Sequence, residues 1–141
     1  MENIIPFMLA ILTGVLTTLE ASISAELGKF VTPKIAIFHN MIMGLTVMSE
    51  ILLINGTLGQ YKKIVNVPLK WSTGGIFGTF AIYLLAVIIP KLGVTITFTI
   101  VITFQILSGF FIDTFMLNQQ FELIQIIGLV MIITGLYIVM K

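Results

Sequence analysis

Long apolar runs, separated by short polar or turn-forming segments, dominate the pattern of this 141-residue chain. A helix that spans a membrane needs about 20 mostly apolar residues, because the hydrocarbon core of a bilayer is about 30 Å thick. Five runs reach this length, and they are too uniformly apolar for the alternating strands of a membrane barrel. The pattern therefore predicts an all-α membrane protein, with residues 1–141 forming a single domain whose spans lie near 5–27, 35–54, 71–89, 93–117 and 121–140.

Turn-forming residues mark the predicted ends of these spans. Gly28 is suited to ending the first span, and "TPK" precedes the second. Pro68 and Pro90 bound the third span, and "NQQ" separates the fourth from the fifth. Five spans place the two termini on opposite sides of the membrane. We call the amino-terminal side of the membrane side A and the other side B.

The composition agrees with a membrane protein and excludes several other classes. Hydrophobic residues make up 58% of the chain and charged residues only 9%, whereas soluble domains usually contain about 25% charged residues. The net charge of +1 gives no indication of a nucleic-acid partner. Because there is one histidine, no cysteine, no phosphate-binding loop and no carboxylate pair at catalytic spacing, we expect neither an enzyme nor a cofactor or metal.

The basic residues are all lysines, and they are nearly balanced between the two sides. Side A holds three and side B holds four: Lys62, Lys63 and Lys70 against Lys29, Lys34, Lys91 and Lys141. Lysine excess in short loops normally orients a membrane protein. Without that excess, either other factors impose one orientation, or copies insert both ways and pair antiparallel. The second arrangement would build an inverted repeat from two copies of one chain.

The stretch "LTTLEASISAEL" introduces a carboxylate into the first span. Glu20 lies about 6 Å beyond the predicted midpoint of this span, toward side B. Thr13, Thr17 and Ser24 share its helical face, because the four positions are separated by four, three and four residues. A carboxylate at this depth must be neutralised, paired or hydrated, so it can exchange a proton for a cationic substrate. The hydroxyls either orient that substrate or bond back to their own helix.

Further polar positions occur in the other spans. Gln105 falls at the middle of the fourth span, where its amide needs either another helix or a ligand as partner. His39 opens the second span on side B, and Tyr83 lies about 4 to 5 Å past the midpoint of the third. Each of these two either lines a cavity or serves as an interfacial or packing residue. Glu50 and Asp113 lie nearer side A, where structural pairing is expected.

Three segments resemble a known transporter family: "LEASISAELGKFVTPKIAIFHNMIMG", "GGIFGTFAIYLLAVIIPKLGVTITFTIVITFQILSGFFIDTF" and "IGLVMIITGLYIVM". The most specific combination is "PKLG" followed by Gln105 and Asp113. On these residues the chain resembles, over nearly its whole length, the five-helix, single-repeat branch of the drug/metabolite transporter superfamily, often called YdcZ-like. The resemblance implies small-molecule transport across a bacterial inner membrane and antiparallel pairing of short repeats.

The chain departs from this family at two positions. Relatives commonly carry a glutamine near the position of Glu20 and an asparagine near that of Ser24. The carboxylate is instead similar to the essential glutamate in the first helix of small multidrug resistance proteins, which serves both substrate and proton. This analogy applies to Glu20 alone.

The sequence thus predicts a proton-coupled secondary active exporter of a small cationic or polar metabolite or drug, acting as an antiparallel homodimer. In fold terms, the five-helix bundle would be one half of an inverted-repeat transporter completed by dimerisation. The expected partners are a second copy or a homologous paired chain, a small-molecule substrate, protons and the lipid bilayer. A small dual-topology ion channel and one subunit of a heteromeric transporter remain alternatives. The predicted substrate and proton site consists of Glu20, Thr17, Ser24, Gln105, Tyr83 and His39.

Overall fold

A computed structural model of the protein describes residues 4–115 and 122–141. In these two ranges the chain forms six α-helices, a 3-10 helix and no strand, which confirms the predicted all-α class. The helices are α1 (Ile4–Phe30), α2 (Pro33–Ile54), α3 (Leu69–Ser72), α4 (Gly74–Leu92), α5 (Val94–Phe115) and α6 (Leu123–Val139), and the 3-10 helix (Leu58–Asn66) lies between α2 and α3. The chain divides into two compact units, Met1–Lys91 and Leu92–Lys141.

In the described part of the chain, four helices are long and apolar enough to cross a membrane: α1, α2, α4 and the Val94–Thr114 part of α5. Few of their residues are buried within the protein, only 6% in the most apolar stretch of α1. Apolar side chains that face outward along a whole helix are the arrangement that a lipid environment requires. The structure therefore agrees with a membrane protein and with the first four predicted spans.

The fifth predicted span, 121–140, corresponds to α6. This helix is apolar, but its 17 residues reach only about 25 Å, which is shorter than the hydrocarbon core of about 30 Å. A fifth crossing therefore stays a prediction. Phe121, where that span was predicted to begin, and Leu117, where the fourth was predicted to end, lie outside the described residues.

The expectation that Gly28 ends the first span is wrong, because α1 continues to Phe30. A Cβ atom at Gly28 would lie 3.3 Å from the Cα atom of Pro33, so the missing side chain allows the two helix ends to approach. Helix α2 then begins directly: the Thr32 hydroxyl accepts a hydrogen bond from the Ile35 N–H at 3.3 Å, and Pro33 occupies the first turn. Both features are typical of a helix start.

Pro90 does not end the third span as predicted, because α4 passes through it and ends at Leu92. Proline removes one backbone donor from the helix, but here it lies in the last turn. Gly93 follows the helix, and its φ of 79° is the left-handed conformation that commonly follows a helix. Because α4 runs from Gly74 to Leu92, its central residue is Tyr83, which lies deeper than the sequence predicted.

Small residues bring α1 and α2 together near their connection. The buried positions of the two helices are Ala21, Ser24, Ala25, Ala36 and Ile37. Small side chains let helix backbones approach closely in a membrane protein, where dispersion contacts and hydrogen bonds replace the hydrophobic effect as the source of stability. In the second unit, α5 packs against α6.

Candidate functional site

Glu20 lies three residues past Thr17, the central residue of α1, and thus about 4.5 Å from the helix centre toward side B. Its side chain is exposed. Within the described residues it forms no hydrogen bond and no ion pair; the acidic residue of α1 that does is Glu26, which is paired with Lys29. A carboxylate at this depth in hydrocarbon is stable only if it acquires a proton, a cation or water.

The hydroxyls around Glu20 are bonded to the backbone of their own helix. Thr13 donates to the Leu9 carbonyl and Thr17 to the Thr13 carbonyl, each at 2.8 Å. Thr18 likewise donates to the Gly14 carbonyl at 2.9 Å. None of these three protons is therefore offered to the carboxylate. The hydroxyl oxygens keep lone pairs that can accept a hydrogen bond, so Thr17 still presents a polar atom one turn from Glu20.

Ser24 forms the polar contact between α1 and α2. Its hydroxyl oxygen accepts a hydrogen bond from the Asn40 Nδ2 atom at 2.6 Å, and Ser24 is 0% exposed. A direct contact between Ser24 and a substrate would therefore require α1 and α2 to separate. Sequence reasoning assigned no definite role to Asn40. The positions of the two residues do indicate the contact. Ser24 lies about as many residues before the end of α1 as Asn40 lies after the start of α2.

His39, next to Asn40, takes no part in this contact. Its side chain is exposed and lines a surface groove of about 220 Å³ together with Leu27, Val31 and Ile35. The groove is apolar apart from the imidazole. Glu20 is not among its lining residues, so its contact with His39 in a shared cavity remains a prediction.

Tyr83 is half-buried and lines a larger groove of the first unit, which we call the α2–α4 groove. Its volume is about 370 Å³, and its walls are Lys34, Ile37, Phe38, Met41, Thr79, Phe80 and Tyr83. The Thr79 hydroxyl and the Met41 sulfur atom, 3.4 Å apart, connect the two helices. Aromatic rings and a thioether make this groove suited to an apolar body, and Lys34 is its charged residue.

In the second unit, Gln105 lies at the centre of α5. Its side chain is exposed and has no hydrogen-bond partner among the described residues. Beside it, α5 and α6 enclose a groove of about 340 Å³, the α5–α6 groove. Its walls are Ile106, Gly109, Phe110, Asp113, Gln125, Gly128, Leu129 and Ile132. Gln105 does not line this groove, whereas Asp113 does so and is half-buried; its structural pairing stays a prediction.

The structure therefore brings some of the predicted site residues together. Thr17, Glu20 and Ser24 share one face of α1, and Ser24 is bonded to the neighbour of His39. Tyr83 belongs to a different groove of the same unit. Gln105 belongs to the second unit. The deep charge of the candidate site is Glu20.

Comparison with known proteins identifies a family. A family model described as "Putative inner membrane exporter, YdcZ" matches residues 5–138. This range includes all six predicted site residues and most of both units. No curated protein and no solved structure matches the chain.

Proposed function

Because the chain belongs to the YdcZ-like inner membrane exporter family, we propose that it is a secondary active exporter that exchanges protons for a small cationic or polar molecule. The observation that carries this proposal is the environment of Glu20. The carboxylate lies about 4.5 Å from the centre of an apolar helix, and the described part of the chain provides it with no partner. A proton or a cationic substrate would supply the partner that the described residues do not.

A proton and a cationic substrate would compete for the Glu20 carboxylate, and this competition would exchange one for the other. When Glu20 is protonated, it is neutral and stable in hydrocarbon; when it is ionised, it attracts a cation. Because the same oxygens cannot hold a proton and a cation together, binding of one releases the other. Thr17, one turn from Glu20 on the same face of α1, would help to orient the substrate. Roles for Ser24, Gln105, Tyr83 and His39 in binding it remain predictions.

Two copies in opposite orientations would let this site open to either side of the membrane. The nearly balanced lysines, three on side A and four on side B, support insertion in both orientations. An antiparallel pair would reproduce the inverted repeat on which many transporters are built. Such a pair has two nearly equivalent ends, one on each side of the membrane. If these ends opened in turn, the site would have alternating access.

The first prediction tests the carboxylate. In reconstituted vesicles with an imposed pH gradient, we expect the wild type to accumulate ethidium, used as a cationic probe, and to release protons from the opposite side. Glu20→Gln should abolish both fluxes, because the glutamine amide does not ionise and therefore cannot exchange a proton for a cation. A pH-sensitive dye and ethidium fluorescence measure the two fluxes in the same vesicles.

The matched control is Glu26→Gln, on the same helix but exposed near its end and paired with Lys29. This variant should transport as the wild type does. Undiminished proton-coupled uptake in Glu20→Gln would contradict the mechanism. Ethidium flux that proceeds equally well without a pH gradient would instead favour the channel alternative.

A further inference from the structure

Two charged side chains near helix ends have no ion-pair partner among the described residues. If successive spans cross in alternate directions, α2 and α5 both run from side B to side A. Lys34, the second residue of α2, then lies about 14 Å from the centre of that helix toward side B. Asp113 lies about 13 Å from the centre of α5 toward side A. Among the described residues neither forms an ion pair, whereas Lys29 and Glu26 pair with each other.

Each of these charges lies in one of the two largest grooves described above. Lys34 is the charged residue of the α2–α4 groove, and Asp113 is the charged residue of the α5–α6 groove. The remaining walls are mainly apolar, and Phe38 and Phe80 expose more than half of their surface. The grooves have similar volumes, about 370 and 340 Å³. Their charges are of opposite sign.

We propose that the α2–α4 groove packs against the α5–α6 groove of an inverted second copy, with Lys34 paired to Asp113 of the partner subunit. The inference rests on the proposed antiparallel pair and identifies its interface. Each copy supplies one groove of each kind, so either groove of one copy has its complement on the other copy. The occupant of both grooves is thus a second copy of this chain.

Depth in the membrane supports an inverted partner specifically. Inversion exchanges sides A and B, so Asp113 of the partner subunit lies about 13 Å toward side B of the first copy, within about 2 Å of the depth of Lys34. In a parallel pair the same two groups lie on opposite sides, about 27 Å apart in depth. A charge pair between these residues is therefore compatible with the inverted arrangement alone.

Charge complementarity favours a protein occupant over lipid tails. An acyl chain in either groove satisfies neither the ammonium group nor the carboxylate. Unpaired charges in apolar surroundings are costly. Pairing across the interface neutralises one positive and one negative group and leaves apolar walls facing apolar walls.

The chain contains no cysteine, so engineered thiols report contacts without background. Two differently tagged copies are coexpressed, one carrying Lys34→Cys and the other Asp113→Cys, and membranes are treated with a short bismaleimide. We expect a crosslinked species that carries both tags. The control replaces Asp113→Cys with Thr95→Cys, which lies about 14 Å from the α5 centre toward side B and matches Lys34 only in a parallel pair. The control should give no such species.

Charge reversal tests the pairing itself. Lys34→Glu and Asp113→Lys should each weaken dimerisation in lipid by roughly tenfold or more, because each places like charges opposite one another. The double variant restores opposite charges and should recover wild-type dimerisation. Recovery also shows that the single variants still fold.

The outcomes separate this interface from the proposed function. Termini found on both sides of the membrane, without the crosslink or the recovery, would overturn this interface and leave lipid or another surface in the grooves. Termini found on one side only would remove the antiparallel pair, whether or not Glu20 still couples transport to protons. A crosslink with Thr95→Cys in place of Asp113→Cys would indicate a parallel pair and contradict the inference.

Discussion

At the scale of single residues, the polar groups of α1 fall into two classes. Most of its hydroxyls are bonded within the helix, and Ser24 is bonded across to Asn40 at 2.6 Å. Glu20 is the exception, because its carboxylate has no partner among the described residues. This contrast separates the groups that hold the first unit together from the group available to a proton or ligand.

Removal of the interhelical bond should lower stability. Asn40→Ala should reduce the free energy of unfolding by about 1 kcal/mol, since it leaves the buried Ser24 hydroxyl without its donor. Unfolding in mixed micelles with increasing dodecyl sulfate measures this change. The control, Thr46→Val on the same helix, removes an exposed hydroxyl that is bonded only to the Ile42 carbonyl, and it should have a smaller effect.

A double-mutant cycle distinguishes a bond from two independent effects. Ser24→Ala and Asn40→Ala should show a coupling energy of about 0.6 kcal/mol or more, as is usual for hydrogen bonds between membrane helices. Strictly additive effects of the two substitutions would show that the side chains do not stabilise one another.

At the scale of helices, Gly28 and Pro90 do not mark the helix ends that the sequence predicted, whereas Gly93 directly follows the end of α4. Gly28 lies inside α1, where it permits close approach to Pro33. Pro90 lies inside α4, and the helix ends just before Gly93 with its positive φ. This end point places Tyr83 at the centre of α4, where it lines the α2–α4 groove.

Gly93 should therefore be sensitive to substitution. No atom lies within 4 Å of a Cβ placed there, so the penalty of Gly93→Ala is conformational and should be about 1–2 kcal/mol. Gly75→Ala is the control, because Gly75 also has open space but lies within α4 with ordinary helical geometry. It should be neutral or stabilising by up to about 1 kcal/mol. Equal losses in the two variants would refute a special role for the backbone at Gly93.

At the scale of the whole molecule, the proposed inverted pair depends on how the lysines are distributed between the two sides of the membrane. If the balance of three lysines against four permits both orientations, small changes of charge in the 3-10 helix should leave only one orientation. Gln60→Lys with Asn66→Lys adds charge to side A, and Lys62→Gln with Lys63→Gln removes it. All four positions are exposed, so these changes leave the packing intact.

Each biased variant expressed alone should adopt one orientation and lose most of its transport, because it lacks an inverted partner. Coexpression of the two should restore transport. Accessibility of tags on both termini gives the orientations, and ethidium efflux from cells gives the activity. Full activity of a variant held in one orientation would contradict the antiparallel pair.

The sequence alone determined the membrane class, the four long apolar helices within a few residues, the family, and the positions of Glu20 and Gln105 near the centres of α1 and α5. These follow from the length and composition of apolar runs, which a bilayer constrains directly because every spanning helix must satisfy its own backbone and cross the same thickness. The resemblance carried by "PKLG", Gln105 and Asp113 is confirmed by the family match over residues 5–138.

Only the tertiary structure decided which polar groups are already in use. The Ser24 hydroxyl accepts a hydrogen bond from Asn40, and Thr17 bonds to its own helix. Lys34 and Asp113 line separate grooves. Each of these arrangements depends on which helix faces are in contact. Helix periodicity places residues on a face but does not say what covers that face. In a membrane protein the ambiguity is larger, because apolar residues occur on lipid-facing and protein-facing surfaces alike.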